Sequence, residues 1–349
     1  MRGQAYGFAH EDSVPESLTA RFPMSPYPVG WFRVAASNAL RPGTHQNLRI
    51  FGQELVLFRT TSGVPRLIEA YCPHLGTHLG KGGCVEGENM VCPLHAWRIG
   101  GDGSVVHVPY SKATPRIAVR SWLLREVSGQ IFVWHHPDDV APEWEPPVLF
   151  EATDSNWTGF LPARTWTLRT HVQEFCENGA DNVHSTWLHG QQSVTKSVEV
   201  DKHVYTHRTA QRFTFFGLVK ALAKEAEGTL DISCHGLGIV VERGQVTMKL
   251  TMEYCLVFFP VPVDDTCIEL HSVLSIRRLP TELATRLLWK KSAAEMSAII
   301  DQDVPVWESK KWKERPVLVA EDGPIHAYRS WARQFYPKTQ ATLRPGQTG

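Results

Sequence analysis

Apolar and polar residues alternate in short runs through the first part of the chain, the period-two signature of half-buried strands. Such runs cover residues 31–36, 48–59 and 66–70, the second folding back at Gly52. The series resumes at 122–127 and 130–134, joined by Ser128-Gly129, a two-residue hairpin signal. Turn residues bound every run, which predicts a small antiparallel all-β domain. Ahead of it, residues 1–26 are polar and broken by proline, and read as a loose arm. A proline-rich stretch, 136–147, closes the domain and marks a boundary. The expected division is an arm at 1–26, a first domain at 27–147, a second at 148–337 and a tail at 338–349.

Past the boundary the pattern opens with a helix, residues 169–188. Strand-like runs follow at 205–216, 229–242, 245–259 and 267–276, and a long amphipathic helix at 282–301 comes last. One antiparallel sheet wrapped around a long helix makes the second domain α+β and encloses an apolar cavity. Phe213, Phe215 and Phe216, with Val257, Phe258, Phe259 and Val261, offer enough bulk to line it. Ordinary sheet core would use the same residues.

Composition narrows the class. A chain of 349 residues can bury two cores. Its 36 Lys and Arg balance 36 Asp and Glu, so no basic excess points to nucleic acid. Seven cysteines, an odd number, argue against a secreted disulfide framework. The N-terminus lacks the apolar core of a signal peptide, and no run reaches the roughly 20 apolar residues of a membrane span. The expectation is a soluble, cytoplasmic protein.

Candidate chemistry then changes the picture. Cys72-Pro73-His74 and Cys92-Pro93-Leu94-His95 supply two thiolates and two imidazoles as C-x-H … C-x-x-H, with seventeen residues between His74 and Cys92. Two Cys and two His also make a tetrahedral zinc set, but zinc motifs pair like residues on one loop. Here each loop mixes one of each. That suits a [2Fe–2S] cluster with two sulfurs on one iron and two nitrogens on the other, the Rieske pattern, whose potential lies above that of an all-cysteine cluster. Gly76, Gly80, Gly82 and Gly83 would let backbone N–H groups approach the sulfides, and Tyr71 and Trp97 could shield them.

A second metal site is written into the helix at 169–188. His184 and His189 lie five apart, about 140° around an ideal helix, so they share a metal only if the helix ends or distorts between them. Gly190 is a fitting C-terminal cap. Two imidazoles and one carboxylate form the facial triad of non-haem Fe(II) oxygenases. Asp181, three residues before His184, would share its helical face and could accept an imidazole N–H.

Both motif pairs, in this order and across roughly residues 28–337, resemble the oxygenase component of a Rieske non-haem iron oxygenase. The family pattern D-x-x-H-x4-H is matched by Asp181, His184 and His189. The resemblance implies a third iron ligand from a downstream Asp, with Asp301 and Asp303 as candidates. The run Gln302-Asp303-Val304-Pro305-Val306-Trp307 is similar to the nearest subgroup and favours Asp303. Ala70–Gly76, Cys92–Trp97, residues 131–135 and Glu321-Asp322-Gly323-Pro324 resemble the steroid-directed branch, 3-ketosteroid 9α-hydroxylase and cholesterol 7-desaturase. Residues 234–239 lean towards the desaturases.

This resemblance implies a Rieske domain followed by a helix-grip catalytic domain with a mononuclear Fe(II). It also implies a homotrimer in which the cluster of one subunit serves the iron of its neighbour. Asp181 would bridge them, between His95 and His184. No Gly-rich nucleotide motif follows a strand, so NAD(P)H would act through a separate ferredoxin or flavin reductase. The expected substrate is an apolar fused-ring molecule, a steroid or sterol, that is hydroxylated or desaturated; an aromatic or natural-product scaffold is the alternative. A Rieske-type electron carrier would end near residue 150, and this chain does not.

Overall fold

The structure, a computed structural model, describes residues 17–214, 225–247 and 251–337. Most of the expected arm and the whole of the tail at 338–349 lie outside these residues. The end of the arm that is described is not loose. It forms α1 (Leu18–Arg21), which buries Leu18 against the second half of the chain, and Phe22 follows it into the interior. Trp312 N–H donates to the Arg21 carbonyl at 3.0 Å, which pins the segment.

The first half folds as three small antiparallel sheets. Gly30–Ala36, Gln130–His135 and Leu124–Val127 form one; His45–Ile50, Gln53–Arg59, Pro65–Glu69 and Ser121–Trp122 form the next. The third comprises Cys84–Glu86, Asn89–Val91, Arg98–Ile99 and Val105–His107. The expected hairpin at Ser128-Gly129 and the expected turn at Gly52 are both present, and both are two-residue hairpins. Val127 pairs with Gln130 around Ser128 and Gly129, and Ile50 with Gln53 around Phe51 and Gly52. All four loop residues have positive φ, the mirror-image turn whose twist matches that of the strands.

The second half is a seven-stranded antiparallel sheet. In spatial order it runs Leu161–Leu168, Ile268–Ile276, Thr251–Pro262, Val240–Thr247, Glu225–His235, Val204–Thr214 and Gln192–Asp201. Four helices among the described residues accompany it: α2 (Val172–Asn178), α3 (Asn182–Trp187), α4 (Glu282–Ser309) and α5 (Ile325–Ala332). Among the described residues no helix is long and apolar enough to cross a membrane.

The strand Thr251–Pro262 shows a different core on each face, because side chains alternate. Leu256 and Phe258 face the core that holds α2, α4 and α5. Val257 and Phe259 face Trp31, Phe132 and Trp134 of the first half, and Val261 joins another first-half core. The expected cavity lining is corrected accordingly. Of Val257, Phe258, Phe259 and Val261 only Phe258 borders the cavity described below. Phe215, Phe216 and the side chain of Phe213 lie outside the described residues. Gly238 lets the two halves meet, since a Cβ there would fall 2.2 Å from the Trp31 carbonyl oxygen.

Other expectations change too. The run 229–242 is two strands, because Gly236 turns the chain at φ +62°. The run 245–259 likewise divides between Val240–Thr247 and Thr251–Pro262. Leu161–Leu168 and Gln192–Asp201 are strands that the pattern did not reveal; both edge the sheet, and their many exposed positions blur the alternation. The last helix continues past residue 301 to Ser309, through Pro305. Tertiary packing outweighs the proline there. Trp307 is almost wholly buried and meets the Phe175 ring at 5.3 Å.

Candidate metal centres

Two matched loops carry the Cys/His pairs. In each, the cysteine carbonyl accepts an N–H from four residues on, Gly76 to Cys72 and Ala96 to Cys92, both at 3.0 Å. Each cysteine N–H donates to the carbonyl one residue further, Thr77 and Trp97, at 2.9 Å. The repeated hydrogen bonds present the two loops as twin fingers. Cys72 and Cys92 are buried at their bases, and the His74 and His95 rings meet at 4.8 Å nearer the tips. Burial pushes the Cys72 thiol up to about 11, and the neighbouring Cys92 sulfur adds to that. Thiolate ligation would therefore release protons as a metal group enters. His95 Nδ1 is buried with no hydrogen-bond partner.

The shielding side chains are not quite those expected. Trp97 stacks on His74 at 4.5 Å, nearly parallel. Tyr71 instead hydrogen-bonds Glu54. Tyr110 takes the second flanking position, 6.2 Å from the His95 ring, and its oxygen accepts from Trp97 Nε1 at 2.8 Å. Gly80 and Gly83 serve packing rather than the loops' inner surface. A Cβ on Gly80 would strike Asn47, and one on Gly83 would strike the Leu79 carbonyl. Gly76 and Gly82 have positive φ, with no contact inside 3.4 Å for a Cβ.

The helix expected at 169–188 is two. Residues 179–181 interrupt it. His207 holds the break: its Nδ1 donates to the Gly179 carbonyl at 2.9 Å, and its Nε2 accepts from Thr195 at 2.9 Å. Gly323 lies against the same segment, where a Cβ would come 2.6 Å from the Ala180 carbonyl oxygen. Asp181 therefore does not share a helical face with His184. It caps α3, accepting from Val183 N and His184 N at 3.0 and 3.1 Å. Burial works to raise its carboxyl, but the donors from His184 outweigh burial and hold it below the usual value.

Helix α3 then ends at Trp187, ahead of His189. Gly190, at φ +68°, donates to Thr186 O, and Gln191 N–H closes onto Ser185 O at 2.8 Å. This early ending brings the two histidines together despite their unfavourable spacing. Donor atoms of His184, His189 and Asp303 lie within 4.8 Å of one another. His189 Nε2 is 3.4 Å from Asp303 Oδ1, with both side chains nearly excluded from solvent. Asp301 points elsewhere, accepting from Arg164 at 2.6 Å and from Trp166 Nε1 at 3.0 Å. Asp303 Oδ2 is buried without a partner.

Two residues not singled out by the motif reading set the histidine rings. His189 Nδ1 donates to Gln302 Oε1 at 3.2 Å. His184 Nδ1 lies 2.6 Å from the Asp181 carbonyl, which can only accept, so the proton sits on Nδ1 and Nε2 carries the lone pair. Asn178 Nδ2 donates into that lone pair at 3.1 Å. Burial pulls the His189 imidazole down, but Asp303 more than reverses this and lifts it above the usual histidine value. Gln302 was legible as the neighbour of Asp303. Asn178 carried no signal, because only the helix break brings it back to His184.

The triad opens onto a cavity of about 690 Å³ between the sheet and α4. Leu230, Ile232, Leu256 and Phe258 form its sheet wall, while Leu288 and Met296 form its helix wall. A mostly apolar cavity of this size with a few convergent polar groups is the common form of a small-molecule site.

Comparison with known proteins agrees with this geometry. Residues 30–122 match the Rieske [2Fe-2S] domain family, and residues 133–336 match the 3-ketosteroid 9α-hydroxylase C-terminal domain family. A cholesterol 7-desaturase of Ciona intestinalis is 30% identical over 346 residues, covering 91% of this chain and 70% of that protein. The oxygenase component of a 3-ketosteroid-9-alpha-monooxygenase of Rhodococcus rhodochrous is 28% identical over 330 residues, covering 88% of this chain and 83% of that protein. Dicamba monooxygenase bound to 3,6-dichlorosalicylic acid superposes with a TM-score of 0.72 over 92% of this chain and all of that one, at 16% identity, a likeness of fold. The chain thus belongs to the Rieske oxygenase family of oxidoreductases, in the branch that joins a Rieske [2Fe-2S] domain to a 3-ketosteroid 9α-hydroxylase C-terminal domain.

Proposed function

We propose that this protein is the terminal oxygenase of a multi-component system that hydroxylates or desaturates a steroid or sterol. The observation that carries the reading is the His184, His189 and Asp303 donor set within 4.8 Å at the wall of an apolar cavity. Cys72, His74, Cys92 and His95 would hold the [2Fe–2S] cluster, and His184, His189 and Asp303 a mononuclear iron. The partnerless, buried His95 Nδ1 and Asp303 Oδ2 suit those roles, since each is a polar atom that wants a ligand. When bound, the two groups supply single-electron transfer and oxygen activation.

The chain's own residues prepare that chemistry. Asp181 and Gln302 fix the proton of each histidine on Nδ1, so both Nε2 atoms carry the lone pair, and Asn178 would yield its hold on that of His184 to a metal. The apolar walls keep water from the site and orient a ring system by shape. The assigned division into domains at 27–147 and 148–337, with its boundary in the proline-rich stretch, separates the two centres along the chain. Electrons from NAD(P)H would come through a separate reductase, consistent with relatives that are oxygenase components.

A homotrimer with the cluster of one subunit beside the iron of the next completes the reading. Leu75 and Leu94 stand exposed at the tips of the cluster loops. Trp187, 85% exposed, and Val319 stand exposed beside the α2–α3 break. These two apolar patches suit a head-to-tail contact, which Asp181 would span.

The test is turnover of a sterol and 3-ketosteroid panel with a surrogate reductase, NADH and O2, read by mass spectrometry. Gain of one oxygen marks a hydroxylase and loss of two hydrogens a desaturase. No conversion by protein whose cluster is reduced would remove steroids from the reading and leave the family assignment in place.

A further inference from the structure

We infer that Glu242 and Tyr254 form the polar anchor of the cavity, taking a hydroxyl or oxo oxygen carried on the ring system of the substrate. The inference rests on the steroid reading and says which residues hold the oxygen that such a substrate carries.

The sheet register builds the pair. Glu242 pairs with Leu256 and Gly244 with Tyr254, so Glu242 and Tyr254 are diagonal neighbours on one face, the geometry in which long side chains meet. That face is the cavity wall, since Glu242, Tyr254, Leu256 and Phe258 all border it. Gly244 makes the arrangement possible. A Cβ there would fall 2.1 to 2.3 Å from the Tyr254 ring and hydroxyl, so the side chain lies across the glycine.

Neither the Glu242 carboxyl nor the Tyr254 hydroxyl has a hydrogen-bond or ion-pair partner among the described residues. Polar neighbours in the same wall are engaged: Arg277 by Glu253, Arg278 by Glu282 and the Trp157 carbonyl. Both side chains are only partly buried and border the cavity, so their polar atoms are open to whatever fills it, and an apolar ring system entering there would bury them without a partner unless it carried a matching oxygen. Burial, reinforced by the charge of Asp303, pushes Glu242 up to about 7. Burial also raises Tyr254. Near neutrality both can donate to an oxo group or accept from a hydroxyl. Asp303 lines the same cavity, so a ring system whose oxygen is held at the anchor shares one space with the donor set. Gln211 is the competing group, because its Oε1 is also buried without a partner while its nitrogen bonds Ser193 and Thr209.

The experiment is anaerobic equilibrium dialysis of the holoenzyme and of Glu242→Leu, Glu242→Gln, Tyr254→Phe and Gln211→Leu variants. The probes are cholesterol, its 3-oxo counterpart and the parent hydrocarbon, with 2-naphthol and naphthalene as a second matched set. Wild type should prefer the oxygenated member by about tenfold or more, and Glu242→Leu should cut that preference to about threefold or less. Glu242→Gln should keep part of it, and Tyr254→Phe should lose part. Whether the sterol or its 3-oxo counterpart binds more tightly identifies the oxygen taken. Preference unchanged in both Glu242→Leu and Tyr254→Phe, or lost only in Gln211→Leu, overturns the anchor. If wild type binds no steroid, the steroid reading fails and the naphthol preference in the same variants decides the anchor by itself. Cluster absorption and iron content verify each variant; if Glu242→Leu does not load, the preference of Tyr254→Phe decides the anchor instead.

Discussion

Two positions separate Asp301 from Asp303 on α4, a turn of about 200° around the helix. That turn sends Asp301 outward to Arg164 and Trp166 and leaves Asp303 facing His189. Asp303→Ala should lose mononuclear iron while the visible cluster absorption stays. Asp301→Ala should keep its iron and lose about 1–3 kcal/mol of stability, since it removes a half-exposed pair with Arg164 and the acceptor of Trp166 Nε1. Iron counts and absorption spectra of both variants check this. His189 adds a pH dependence. Its folded pKa is raised, so in the metal-free protein its proton stabilises fully below the unfolded imidazole value, and that gain is lost as pH rises through the folded one. Iron needs the neutral ring, so loading runs the opposite way. Iron retained after dialysis should climb between roughly pH 5 and pH 8, and a flat profile would take His189 out of the ligand set.

The elements around the triad are held by a buried charge network. Arg329 of α5 makes two hydrogen bonds to Glu177 of α2, at 2.6 and 2.7 Å, with both side chains largely buried. Its guanidinium also lies over the Trp312 ring at 4.0 Å. Lys310, just past α4, reaches the buried Glu174 at 2.7 Å. Together these tie α2, which ends beside Asn178, to α4 and α5. Removing one partner strands a buried charge, so Glu177→Leu should cost about 3–5 kcal/mol. Denaturant unfolding measures that loss, and a loss below about 1 kcal/mol would show that the pair is solvated. Helix existence was legible from apolar spacing, but the division of residues 169–188 into α2 and α3 was not. Gly179 alone is weak evidence for a break, and the groups that stabilise it, His207, Thr195 and Gly323, are distant in sequence.

At the scale of the whole molecule, the two halves share a core in which Trp31, Phe132 and Trp134 meet Ile239, Val241 and Val257 across the back of the large sheet. The His184, His189 and Asp303 donor set is on the opposite face, between sheet and helices. The trimer reading makes a prediction that belongs to this scale. Cys72→Ala lacks a working cluster and Asp303→Ala a working iron, so each should be inactive alone. Unfolded together and refolded as a mixture, they should recover part of the wild-type turnover, because some subunits would then face a neighbour with the missing centre. Adding Asp181→Asn to both chains should abolish the recovery with cluster absorption intact. No recovery from the simple mixture would mean that each chain uses its own two centres.

Some of this protein was determined by sequence alone. The spacing C-x-H … C-x-x-H points to the two matched loops because covalent neighbours set which candidate ligands share a loop. The hairpins at Phe51-Gly52 and Ser128-Gly129 and the periodic runs at 31–36 and 267–276 follow from local backbone preference and alternation. Tertiary structure decided what depends on residues far apart in the chain. It ended α3 before His189, carried α4 through Pro305 by burying Trp307 against Phe175, and separated the fates of Asp301 and Asp303. It also turned Phe258 towards the cavity and Phe259 away from it, and placed Glu242 beside Tyr254. Alternation along a strand says that two faces exist, and only the packing of the whole sheet says which face each residue takes.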